Sequence, residues 1–161
     1  MTIVQLRPCR PEDLNQLVEI ENLCFAEAKR FDRAYLHTCM TTMPFLIAEI
    51  EGLVAGFVIC NVRNAQEAYL ESLNVHPSFR RQRVASLLLT AMESFSLQNG
   101  INKMSLTVAV DNVGAIELYK RAGYAISAQK TPFYKDGTGA FEMSKALGAD
   151  TSDSSTSHQE P

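Results

Sequence analysis

No stretch of the chain approaches the ~18–20 consecutive apolar residues that a membrane-spanning helix needs. The opening residues, MTIVQLRPCRPEDL, also lack the apolar centre of a secretory signal, so a cytoplasmic protein is expected. The four cysteines, Cys9, Cys24, Cys39 and Cys60, have no C-x-x-C spacing. They suggest neither a zinc site nor a disulfide framework and read as reduced, packing residues. Neither His37 nor His76 has a second ligand-type residue at metal-binding spacing, so no metal is expected. Cys24 and Cys39 lack the histidine partner that an acyl-carrying cysteine commonly requires. A net charge of −3 provides no overall attraction for nucleic acid or anionic lipid. What remains is ordinary: 46% hydrophobic and 20% charged residues in a chain of 161, enough for one core.

The periodicities give an ordered set of elements. Ile3 to Leu6 reads as a first strand, and Arg10-Pro11-Glu12-Asp13 opens a helix continued at helical spacing by Leu14, Leu17, Val18, Glu21 and Phe25. A second helix follows the N-cap Asp32 and ends before Pro44. Phe45 to Ile50 and Leu53 to Cys60, joined by Glu51-Gly52, form a hairpin, and Ala68 to Val75 adds a third strand to the meander. From Val84 the residues Leu87, Leu88, Ala91, Met92 and Phe95 recur at helical intervals up to Gly100. Met104 to Val110 alternates as a strand, so the strands at 69–75 and 104–110 should be parallel neighbours around a helical crossover. A helix from Val113 to Ala122 stops at Gly123, and two last strands fall near Tyr124 to Ala128 and Ala140 to Ala146. One domain over 1–147 is expected. The segment Gly148 to Pro161, rich in serine, threonine and acids, reads as a disordered tail.

The densest chemistry lies where the third strand hands over to a helix. Arg80, Arg81 and Arg83 flank a helix start whose unpaired N–H groups and partial positive charge attract phosphate. A solvated basic turn would have the same composition.

That stretch resembles the acetyl-CoA loop of the GNAT superfamily of N-acetyltransferases, Q/R-x-x-G-x-G/A after a strand ending V-x-P, with Arg80 at the first position and Ala85 at the last. Asp111-Asn112-Val-Gly-Ala115-Ile116-Glu-Leu118-Tyr119-Lys-Arg-Ala-Gly123-Tyr124 resembles the family block N-x-x-A-x-x-L-Y-x-x-x-G-F/Y. The ending Phe133-Tyr134-Lys-Asp-Gly137-Thr-Gly139-Ala140-Phe-Glu-Met143 is similar to that of the subgroup containing the ribosomal-protein alanine acetyltransferase. The resemblance spans about residues 3–147. It implies a mixed α/β (α+β) GNAT fold: a central sheet of six to seven strands, flanked by about four helices.

It further implies acetyl transfer from acetyl-CoA to a primary amine, a protein N-terminus or a small molecule, by direct attack in a ternary complex. Backbone groups of Leu73, Asn74 and Val75 would pair with the pantetheine arm. The pyrophosphate would lie on Arg80, Arg81, Gln82, Arg83, Val84, Ala85 and Ser86, with Asn112, Ala115 and Tyr119 completing the cofactor site. Tyr119 is the candidate acid and Glu71 the candidate base; Tyr134 would help shape the acceptor groove. Nucleic acid, membrane and metal are not among the implied partners, and a homodimer is left open.

Two positions depart from the family. Arg83 replaces the middle glycine of the loop, which costs about 1–2 kcal/mol if that residue must be left-handed and nothing if it is helical. Thr107 stands where the ribosomal-protein subgroup carries its base and cannot act as one. Both favour the alternative of a non-catalytic or weakly active CoA-binding or interaction protein of the same fold.

Overall fold

The computed structural model describes residues 2–148, so the expected tail lies, apart from Gly148, outside the described residues. In chain order the elements are β1 (Gln5–Pro8), α1 (Leu14–Cys24), α2 (Arg33–Thr42), β2 (Phe45–Ile50), β3 (Leu53–Val62), β4 (Glu67–Val75), α3 (Val84–Gln98), β5 (Lys103–Ala109), α4 (Val113–Arg121), β6 (Ala125–Lys130) and β7 (Ala140–Ala146). The seven strands form one sheet in the order β1-β2-β3-β4-β5-β7-β6. Among the described residues no helix is long and apolar enough to cross a membrane.

The local signals act as the sequence anticipates. Asp32 accepts the Tyr35 N–H at 2.8 Å and starts α2. Glu51 and Gly52 both have positive φ, which matches the twist of a two-residue hairpin turn. β1 is displaced by two residues from its expected place because its position is set by pairing and charge. Gln5 to Pro8 lie opposite Glu49 to Leu46. Arg7 clamps both oxygens of Asp13 at 2.9 Å and reaches Glu49 at 2.6 Å. Pro8 is tolerated because β1 is an edge strand. Likewise β6 begins one residue late: Tyr124 is buried in the preceding turn and donates its hydroxyl to Glu93.

Each face of the sheet carries its own core. Leu17, Ile20, Leu36, Ile47, Phe57 and Ile59 join α1 and α2 to one face. Leu88, Met92, Met104, Leu106, Ile116 and Met143 join α3 and α4 to the other. β4 lies between these layers and is irregular. Its register against β3 runs Ser72 opposite Ile59 and Leu70 opposite Cys60, leaving Glu71 as the extra residue of a β-bulge.

Gly56 of β3 makes the close packing around the end of β4 feasible. A β-carbon there would lie 2.6 Å from the Asn74 carbonyl oxygen and within 3.3 Å of Val84 and Leu88 at the start of α3. Replacing Gly56 by alanine is therefore expected to destabilise the fold by about 1–3 kcal/mol, read as a lower midpoint in urea at unchanged slope.

Candidate active site

β4 and β5 are parallel and hydrogen-bonded from Glu67–Lys103 to Leu70–Leu106 and no further. Beyond that point β4 runs on to Val75 beside β3, and β5 runs on to Ala109 beside β7. The strands diverge with each held on its outer side, which opens a gap through the middle of the sheet. A cleft of about 1110 Å³ occupies it.

On the α3–α4 side the cleft is lined by Leu73 and Val75 from β4 and by Arg80, Arg81, Arg83, Val84, Ala85 and Ser86 from the turn into α3, and Asn74 lines it from the other side. Gln82, expected to join them, does not line it; it sits between two left-handed residues, Arg81 (φ 66°) and Arg83 (φ 64°), where the turn reverses. Arg83 is thus not helical and bears the left-handed cost of about 1–2 kcal/mol. It provides no side-chain cap for α3, whereas α2 and α4 are capped by Asp32 and Asn112. The first N–H groups of α3 therefore face the cleft without a partner from the helix. Arg80 turns back to the Cys24 sulfur at 3.4 Å, while Arg81 and Arg83 line the cleft with no ion pair among the described residues. These features fit a pyrophosphate, and the diverging strand edges fit a narrow amide-bearing arm between them.

From α4, Asn112 uses Oδ1 to cap Ala115 N at 3.3 Å, and both residues line the cleft. Tyr119 is 7% exposed, and no hydrogen bond reaches its hydroxyl among the described residues. Burial pushes this phenol well above its ordinary value, with Tyr134 and Tyr69 adding to the effect, so it keeps its proton at neutral pH.

The opposite face of the gap is polar. The bulge puts Tyr69, Glu71, Ser72 and Asn74 toward α1 and α2, while Ala68, Leu70, Leu73 and Val75 pack toward α3. Tyr69 donates to Thr107 at 2.6 Å across the mouth of the gap, and Tyr35 of α2 donates to Glu71 at 2.7 Å. Asn74 donates to Glu21 at 2.9 Å, and the other Glu21 oxygen accepts the Phe31 N–H at 2.8 Å. Lys29 bridges to Asp136 at 2.9 Å with its ammonium 5.4 Å from the Tyr134 ring centroid. This joins the loop between α1 and α2 to the loop between β6 and β7.

Tyr35, Tyr69, Glu21 and Lys29 were not identified from the sequence as site residues. Glu21 alone left a trace, a carboxylate at an interior position of the apolar stripe of α1. His76 caps the turn after β4, accepting Ser78 N at 3.0 Å, and has no place in the site.

Residues 14–124 match the model of the acetyltransferase (GNAT) family, and the chain belongs to that family. An N-alpha-acetyltransferase of Saccharolobus solfataricus is 25% identical over 154 residues, 88% of this chain and 92% of the relative. An uncharacterised N-acetyltransferase of Methanocaldococcus jannaschii is 31% identical over 86 residues, 50% of this chain and 38% of the relative. The crystal structure of Ard1 from Thermoplasma volcanium superposes with a TM-score of 0.85 at 26% identity, covering 89% of this chain and 97% of that one. The protein is an acetyl-CoA-dependent N-acetyltransferase, and these likenesses favour acetyl transfer over the non-catalytic alternative.

Two outcomes follow from the geometry. Arg83→Gly relieves left-handed strain but adds chain entropy, so it should stabilise the fold by up to about 1 kcal/mol. It should also weaken CoA binding in calorimetry and flatten its salt dependence, because a cation is lost.

Burial raises the Glu21 carboxyl from 4.5 to about 7, against the opposing hydrogen bonds from Phe31 and Asn74. The folded state then binds this proton more tightly than the unfolded state. The resulting stability is full below about pH 4.5 and lost as pH rises to about 7. Thermal melts of wild type and Glu21→Gln should accordingly diverge across that window.

Proposed function

We propose that the protein acetylates an α-amine at a protein N-terminus, with Glu71 receiving the proton of the attacking amine and Tyr119 supplying one to the departing sulfur. The observation that carries this reading is the position of these groups. Glu71 lies on the polar, α1–α2 face of the gap, and Tyr119 lies behind it on α4.

An amine enters as its ammonium form and must lose a proton before its nitrogen can attack the thioester carbon. Glu71 removes it, directly or through one water. The N–C bond forms, the carbonyl carbon becomes tetrahedral, and the C–S bond then breaks. Tyr119 donates its phenolic proton to the sulfur, and the second proton of the nitrogen, passed through water, restores the phenol as the amide forms. The uncapped start of α3, with Arg81 and Arg83, holds the pyrophosphate, and backbone groups of Leu73 to Val75 hold the pantetheine arm. Gln82 contributes no side chain to this contact, and the role of Asn112 is carried by its free amide nitrogen and its cap on α4.

Thr107 is no base. Its hydroxyl is engaged by Tyr69, and the pair forms the wall against which the acceptor lies. The protein N-terminus is preferred over a small amine because relatives named N-alpha-acetyltransferases align along nearly the whole chain. Phe31, Phe133 and Tyr134 also line the approach with apolar surface suited to a peptide's first residues. Four free thiols, two of them only partly buried, suit work in the reducing cytoplasm.

Peptides with free N-termini should be acetylated, and the same peptides with blocked N-termini and free lysines should not; equal turnover of polyamines would redirect the acceptor assignment. Tyr119→Phe preserves ring packing and should lower kcat by about 10²–10⁴-fold while leaving the KM for acetyl-CoA nearly unchanged. A folded, CoA-binding phenylalanine variant with wild-type kcat would make Tyr119 a wall of the pocket and water the acid.

A further inference from the structure

We infer that Tyr35 is a positioning residue for acetyl transfer: its hydroxyl takes one oxygen of Glu71 and leaves the other directed to the amine. The inference rests on the reading of Glu71 as the base.

Glu71 is the extra residue of the β4 bulge. Its side chain therefore lacks the regular cross-strand neighbour that would hold it in a flat ladder. Among the described residues the one hydrogen bond to its carboxylate comes from Tyr35, to Oε2 at 2.7 Å. Oε1 is left without a protein donor and Glu71 lines the cleft. Tyr35 does not line it and so has no direct route to the reacting atoms.

Three contacts fix Tyr35 itself. Its backbone N–H is held by Asp32 at the start of α2, its ring meets Phe31 edge-on at 4.7 Å, and its hydroxyl reaches Glu71. Burial and the neighbouring carboxylate both push its ionisation up, so the hydroxyl stays a donor at any pH at which the enzyme works.

A second consequence follows from chain order. Phe31, whose N–H is pinned by Glu21, closes the loop between α1 and α2, and Tyr35 lies one helical turn further on. The loop that borders the acceptor and the group that orients the base are thus parts of one short segment. Displacement of that loop carries Glu71 out of line. The tether limits the base to a single orientation when the loop is seated.

The test is a mutant cycle with a peptide acceptor, measuring kcat, KM for acetyl-CoA, calorimetric CoA affinity and thermal midpoint for each variant. Tyr35→Phe retains the ring against Phe31 and should lower kcat about tenfold with the KM for acetyl-CoA and CoA affinity unchanged. In a Glu71→Gln background the same change should alter kcat by less than about twofold, because the group it orients no longer accepts a proton.

Tyr35→Phe at the wild-type rate, beside an impaired Glu71→Gln, overturns the positioning role and leaves Glu71 as the base. Equal losses from Tyr35→Phe in both backgrounds also overturn it, since the tyrosine then acts independently of Glu71. Glu71→Gln at the wild-type rate removes the base assignment and this inference with it.

Discussion

A β-sheet is stable because each backbone N–H and C=O finds a partner on the neighbouring strand, and an interior break in that ladder leaves groups that something else must satisfy. Here the break falls between two central strands, β4 and β5, after Leu70 and Leu106. It survives because each strand stays paired on its other side, with β3 and with β7. The gap is consequently rigid at both margins and open in the middle. An extended, amide-bearing ligand laid into it restores the missing hydrogen bonds without displacing anything, which suits pantetheine.

The gap also sorts chemistry by face. The α3–α4 side contributes apolar residues, the uncapped start of α3 and the buried phenol of Tyr119. The α1–α2 side contributes Tyr69, Glu71, Asn74 and Thr107. The sorting depends on the bulge at Glu71, since strict alternation along β4 would send Ser72 and Asn74 to the face opposite the one they occupy. One extra residue thus sets which polar groups face α1 and α2. Glu21 ties this arrangement together by receiving both Asn74, from β4, and Phe31, from the loop between α1 and α2.

The turn into α3 uses backbone strain where relatives of the family pattern use glycine. Arg81 and Arg83 are both left-handed, which a side chain resists, and both line the cleft where α3 begins. A glycine would relax the turn and remove charge at once. The chain keeps charge at the cost of strain, a balance that suits the phosphate-binding role proposed for this turn.

The sequence alone determined nearly all of the fold. Hydrophobic period, the Asp32 cap, the Glu51-Gly52 turn and the strand–helix–strand order around α3 are local signals, and local signals act through bonds and neighbours a few residues apart. It also determined the family, because the motifs that carry the resemblance are written in nearly consecutive residues. Edges were less legible: β1 and β6 were each displaced because pairing with Glu49 and with β7, distant in sequence, decides where an edge strand begins. The handedness of Arg83 was likewise undecided until the turn was seen. The site's long-range pairs were invisible in the chain. Tyr35 meets Glu71 across 36 residues, Tyr69 meets Thr107 across 38, and Glu21 meets Asn74 across 53. No spacing rule relates such residues; only the packing of α1 and α2 onto a bulged, diverging pair of strands brings them within hydrogen-bond distance.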